Sequence, residues 1–171
     1  MRLVKNLLIF LISLYIGVVL FMPKENLYYL LEKEAAKQGV IIYNEEIKSN
    51  PLRLEILNPI ISYEGIDIAQ INEIKVTPLL AVNQVEIKGV EFLNIAKDMI
   101  GEGIEYIKAN HSILKPYWVK LDIKGDFGVA KGYIDLKSRL VHIDIVKEKN
   151  IAPLKSILRK NKQGWYYEYR F

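Results

Sequence analysis

The sequence predicts an α+β protein: a single N-terminal transmembrane helix followed by a mainly antiparallel, curved β-sheet domain with two or three short packing helices. Three observations carry that expectation. Residues 6–23 hold no charge between Lys5 and Lys24. From Val40 onward apolar residues recur mainly at a period of two, as in strands with one wet face. A composition of 51% hydrophobic and 26% charged residues over 171 positions belongs to a chain with a packed core, not a disordered one.

The apolar segment runs Leu7, Leu8, Ile9, Phe10, Leu11, Ile12, then Tyr15, Ile16, Val18, Val19, Leu20, Phe21 and Met22. As a helix it reaches roughly 27 Å, enough for a thin bilayer core. A helix buried in a soluble core would show polar residues along one side, and here only Ser13 and Gly17 break the apolar surface. A cleaved signal peptide needs small residues one and three positions before the cut, and Val19-Leu20-Phe21-Met22-Pro23 offers none. The segment therefore reads as an uncleaved signal anchor. Arg2 and Lys5 hold the short N-terminal side in the cytoplasm. Residues 1–23 are then a cytoplasmic stub and anchor, and residues 24–171 one domain on the other side.

Pro23 stops the first helix and suits the first turn of another. Leu27, Leu30, Leu31 and Ala35 recur at helical spacing up to Gly39, predicting a helix over 24–38 that packs this face against one end of a sheet. Lying along the membrane is the alternative, since the helix begins beside the bilayer. Strands follow at Leu52, Leu54 and Ile56, at Ile66 and Ile68, at Ile74 and Val76, and at Val85 and Ile87. Asn58-Pro59, Glu64-Gly65, Thr77-Pro78 and Asn83 supply the breaks. After Gly89 the apolar phase shifts to Val90 and Phe92, which predicts a bulge or bend. Ala96, Met99, Ile100, Gly103 and Ile107 return to helical spacing and predict a helix over 93–109. A second block of strands is carried by Val119, Leu121 and Ile123, by Ile134 and Leu136, and by Val141, Ile143 and Ile145. A short helix is expected at 152–161 with Leu154, Ile157 and Leu158 inward. The last strand sets Trp165, Tyr167, Tyr169 and Phe171 on one side.

Chemistry-bearing motifs are sparse. Zero cysteine removes disulfides, zinc ribbons and thiol catalysis together. Beyond Arg2 and Lys5 the chain is close to neutral, with no concentrated basic surface, which argues against a nucleic-acid partner. Asp126-Phe127-Gly128 matches the magnesium triplet of protein kinases by chance, without the rest of that machinery, and reads as a turn. Two histidines, His111 following a helix end and His142 outward on a strand, make no zinc site alone. Asn110-His111-Ser112 is a glycosylation triplet of low specificity. Asp122, Asp135 and Asp144 share an outward phase, and intervening Lys120, Lys124 and Lys137 make cross-strand ion pairing the simpler account. Tyr28, Tyr29, Tyr166, Tyr167 and Tyr169 fit either the core or an aromatic surface. Neither an enzyme nor a cofactor or metal site is expected.

The order of parts resembles a known group. A basic start, one membrane helix, Pro23 and a short helix ending at Gly39 lead into Val40-Ile41-Ile42 and the Leu52–Leu57 strand. Ile74-Lys75-Val76-Thr77-Pro78-Leu79-Leu80 and Val85-Glu86-Ile87-Lys88-Gly89 then follow. This resembles the N-terminal part of the AsmA-like superfamily, in particular the type II secretion system protein N (GspN) family, and Gly125 to Leu136 is similar to later strand pairs of that group. The resemblance implies a bacterial inner-membrane protein with its C-terminal domain in the periplasm and a groove-shaped sheet. It supplies no catalytic residues.

Two functions follow as expectations. The first is a non-enzymatic scaffold or assembly component of an envelope machine of the type II secretion or pilus class. Its partners are other envelope-complex proteins, met through a sheet edge or through Trp165, Tyr167, Tyr169 and Phe171. The second is a lipid-binding or lipid-transfer module whose groove is lined by Ile74, Val76, Val85, Ile87, Val119, Leu121, Ile123, Val141, Ile143 and Ile145. The same ten residues make an ordinary core if helices cover them, so the shape of the sheet discriminates. A hydrolase of envelope polymer would need a cleft with convergent acids.

Overall fold

A computed structural model describes residues 2–101, 103–162 and 164–171; the Met99 side chain, expected on an inward helix face, lies outside what is described. The chain begins with α1 (Arg2–Phe21) and α2 (Lys24–Ala36), followed by β1 (Val40–Tyr43), β2 (Glu46–Ser49), β3 (Leu54–Leu57), β4 (Ile60–Tyr63), β5 (Ile66–Pro78) and β6 (Val82–Phe92). After α3 (Asn94–Ile100) come β7 (Gly103–Ser112), β8 (Lys115–Gly125), β9 (Gly128–Asp135) and β10 (Leu140–Glu148). A 3-10 turn (Pro153–Ser156), β11 (Arg159–Asn161) and β12 (Gly164–Arg170) close the chain. The strands form one open, curved antiparallel sheet in the order β1-β4-β5-β6-β7-β8-β9-β10-β12-β11, with β2 and β3 added beside the second half of β5.

Register is set on the polar face by a line of charges. Lys48, Glu55, Lys75, Glu86, Lys108, Asp122, Lys131 and Asp144 face one another in turn across eight neighbouring strands, alternating in sign at every step. A one-residue slip would oppose these charges to apolar groups and turn the apolar set outward. Lys108 lies 3.3 Å from Glu86 and Lys131 3.9 Å from Asp122. Glu73, one row over, bridges Lys75 at 2.8 Å and Lys88 at 3.2 Å. Of the three aspartates sharing this face, Asp135 is a turn residue, accepting from the Lys137 and Ser138 amides; the Ser138 hydroxyl foremost, then these amides, hold its carboxyl below the usual range.

A crease crosses the strands. Asn58-Pro59 interrupts the strand that would otherwise join β3 to β4, and the Asn58 amide donates to the Asn72 carbonyl of β5. Opposite Asn72, Gly89 has φ +62°, and the Asn72 side chain occupies the space a Cβ there would need. The line continues to Glu105, where the β7–β8 register shifts. Across it the inward residue moves by one, so that Ile71 with Ile74, Ile87 with Val90, and Ile104 all pack in one cluster. The bend expected after Gly89 is therefore present and shared by adjacent strands.

Three expectations are corrected here. Residues 93–109 are a short helix and then a strand: the three-residue step from Ile104 to Ile107 is a strand changing phase at the crease, and it mimics a helical period. The 152–161 helix is a 3-10 turn followed by β11, with Ile157 outside. The inward side of α2 is Lys24, Tyr28, Glu32 and Ala35, while Leu27, Leu30 and Leu31 are exposed. Lys24 Nζ turns under the helix start to donate to the Val19 and Met22 carbonyls at 3.3 and 3.4 Å, and Tyr28 fills the space over Leu54 and Ile56. That geometry rotates the leucines away. Smaller differences are Leu52, which sits exposed in the turn before β3, and the first half of β5, whose inward residues are Ala69 and Ile71 rather than Ile66 and Ile68.

Helix α1 is long and apolar enough to cross a membrane, and it is not a core helix, because Val19 is its one buried residue among those described.

Two outcomes follow. Gly89→Ala meets both the positive φ and the Asn72 side chain, and should cost about 2 kcal/mol in urea denaturation of the detergent-solubilised chain. Acid should also weaken the fold. The hydrogen bond from Lys75 lowers the Glu73 carboxyl, and burial, which raises it, does not offset Lys75 and Lys88 together. At Glu86 burial raises the pKa, but Tyr106 and Lys108 outweigh it and the net shift is downward. A lowered folded value means the unfolded chain binds more protons. The contribution is full above the ordinary glutamate pKa of about 4.3 and disappears as pH falls through the lower folded values. The urea midpoint should drop across that window, and Glu73→Gln should flatten the dependence.

Candidate functional site: an apolar sheet face left partly open

The face opposite the charge line is built of three cross-strand rows. Ile74, Ile87, Ile107, Ile123, Ala130 and Ile145 form the first. Val76, Val85, Ala109, Leu121, Gly132, Ile143 and Tyr167 form the second. His111, Val119, Ile134, Val141 and Tyr169 continue a third. Strand alternation puts all three on one side, and all ten residues expected from sequence to share an apolar surface fall within them. Ile107 and Ala109 were hidden by the helical reading of 93–109; their alternation with Tyr106 and Lys108 was the signal available.

No carboxylate or ammonium group enters these rows. His111 is the cationic candidate, and its ring is engaged by Asn83 at 3.3 Å and by the Pro116 carbonyl at 3.0 Å. It lies within β7 rather than after a helix. The second row spans six strand intervals, about 29 Å at about 4.8 Å each.

Cover over this face is uneven. At the end where β6, β8 and β10 finish, α3 and the 3-10 turn pack down, and Ala130, Ile145 and Ile151 are buried with Phe127, Leu158 and Trp165 around them. Phe127 packs against this cluster from the turn between β8 and β9. On one flank α2 covers Leu54 and Ile56 through Tyr28, whose hydroxyl donates to Glu45; burial foremost, then Glu45 and Glu32, raise its pKa. Toward the opposite strand ends Val85, Ala109, Leu121, Ile143 and Val141 stay half-buried.

The C-terminal aromatics divide between roles. Trp165 packs in the covered cluster, with Lys160 Nζ 5.3 Å from its ring centroid. Tyr167 belongs to the second apolar row, and Tyr169 and Phe171 are exposed. Tyr28 and Tyr29 sit beside β1 and β2, apart from this group in the strand order. On the polar face Trp118, Tyr133, His142 and Tyr166 stack in sequence at 4.5, 5.5 and 5.5 Å. His142 lies between Asp144 and Glu168. Among the described residues no group of three His, Asp or Glu side chains is placed to hold a metal ion.

Comparison with known proteins returns no match, whether to a family model, to a curated protein or to a solved structure.

The uneven cover has an energetic signature. Ile145→Ala, at a closed position, should cost about 2–4 kcal/mol, whereas Leu121→Ala, on the half-open row, should cost less than half as much in the same urea titration.

Proposed function

We propose that this protein is a membrane-anchored, non-enzymatic holder of lipid acyl chains. In this reading α1 crosses a bacterial inner membrane with Arg2 and Lys5 on the cytoplasmic side, and residues 24–171 stand in the periplasm. The open apolar rows take up part of a membrane lipid. The observation that supports it is an extended, charge-free sheet face whose helices cover one end and one flank only. Burying one methylene contributes about 0.8 kcal/mol, so about ten methylenes along the second row would supply up to ~8 kcal/mol before ordering costs. The exposed, apolar α1 gives such a domain its source of lipid. The order of sequence segments that resembles the AsmA-like superfamily supports this reading.

A second reading, an assembly component of a type II secretion or pilus-like machine, is favoured by a separate feature. β11 pairs only with Gly164–Tyr166, leaving the outer edge of β12 beyond Tyr166 without a strand partner among those described, next to exposed Tyr169 and Phe171. An unpaired edge of this kind accepts a strand from a neighbour.

Site-specific photo-crosslinking in the full chain separates the readings. A benzophenone side chain at Leu121 should yield a phospholipid adduct in membranes, and one at Asp122, on the other face, should not. A Leu121 probe that captures only protein, or nothing, overturns the lipid reading.

A further inference from the structure

The strand ends nearest α1 form a rim that touches this helix. The Tyr15 hydroxyl of α1 donates to the Leu79 carbonyl in the β5–β6 hairpin. Tyr15 lies six residues before the end of α1, about 9 Å along a helix, so that hairpin stands beside the apolar span rather than beyond it. The neighbouring tips are tied to it and to one another. The Ile113 amide donates to the Ala81 carbonyl at 3.1 Å, the Leu136 amide to Tyr117 at 2.8 Å, and the Phe171 amide to Arg139 at 3.1 Å.

These tips expose large apolar and aromatic side chains: Leu80, Ile113, Leu114, Tyr117, Trp118 and Leu136. Leu114 is 88% exposed. Interleaved with them are the exposed cations Lys115, Lys137 and Arg139, while the one carboxylate of the β9–β10 turn, Asp135, is spent on turn amides. At the far end the β8–β9 turn and the end of β10 carry Asp126 and Glu148 among Lys147 and Lys149, and the exposed apolar residues there, among them Tyr63, Ile66, Ile95 and Val146, lie away from α1.

We propose that this rim is seated in the interfacial layer of the bilayer that α1 spans, with its leucines and aromatics among the upper acyl segments and its cations on anionic headgroups. Apolar side chains with tyrosine, tryptophan and basic residues at one level are what the interface of an anionic membrane accommodates. The half-open end of the apolar rows then abuts the leaflet, so a lipid moves into it sideways without crossing water. The proposal rests on the anchor reading above.

The cysteine-free chain suits single-site labelling. Full-length Leu11→Cys, Leu114→Cys and Asp126→Cys, each carrying an environment-sensitive nitrobenzoxadiazole label, are reconstituted in phosphatidylcholine–phosphatidylglycerol vesicles containing doxyl lipids. The expected result is quenching of Leu11 by deep doxyl groups, of Leu114 by shallow ones, and none of Asp126. Leu11 quenched with Leu114 unquenched overturns the rim and leaves the anchor standing. An unquenched Leu114 whose labels contact one another between copies assigns the rim to self-association, and also overturns it. An unquenched Leu11 overturns the anchor and the rim together.

Discussion

The alternating charges from Lys48 to Asp144 determine which residue faces which across eight strands. Each of these pairs is partly wet and modest in energy, but all of them prefer the same register, and a slip in any one strand sets like or uncompensated groups side by side. The three apolar rows are the other face of that arrangement. They align because their polar neighbours align. A continuous surface free of charge is thus a consequence of electrostatics on the side that faces water.

Curvature comes from a different source. The crease at Asn58-Pro59, Asn72, Gly89 and Glu105 moves the inward residue by one position in adjoining strands, and Gly89 is the position with room for the Asn72 side chain. Strands beyond the crease pack under α3 and the 3-10 turn. The first row is closed at Ala130 and Ile145 by Ile151, Leu158 and Trp165, and the second and third rows stay half-covered.

That division aligns with the chain's other polarity. The open end carries leucine, isoleucine, tyrosine, tryptophan and exposed cations next to an apolar helix that its own domain does not bury. The apolar helix α1, the rim and the half-covered rows lie toward one end of the molecule. On the proposed reading, a membrane at that end would meet all three.

Much of this was legible in residue order. Eighteen uncharged positions fix the character of α1, because no contact elsewhere is needed to make such a helix insoluble. Period-two alternation located β3, β5, β6, β8, β9, β10 and β12, but not the short β2 and β4, and put all ten candidate groove residues on one face, since side-chain direction along a strand is a local property. Two features lay beyond local reading. A strand that changes phase at a crease has the same spacing as a helix, so Ile104 and Ile107 were ambiguous until the β6 and β8 partners on either side were in place. Which side of α2 is buried depended on Lys24 reaching the α1 carbonyls and Tyr28 reaching Leu54, contacts set by the direction in which one helix leaves another. Whether the apolar face is roofed is likewise a matter of where α3 and the 3-10 turn come to rest, a sum over distant contacts that no window of sequence contains.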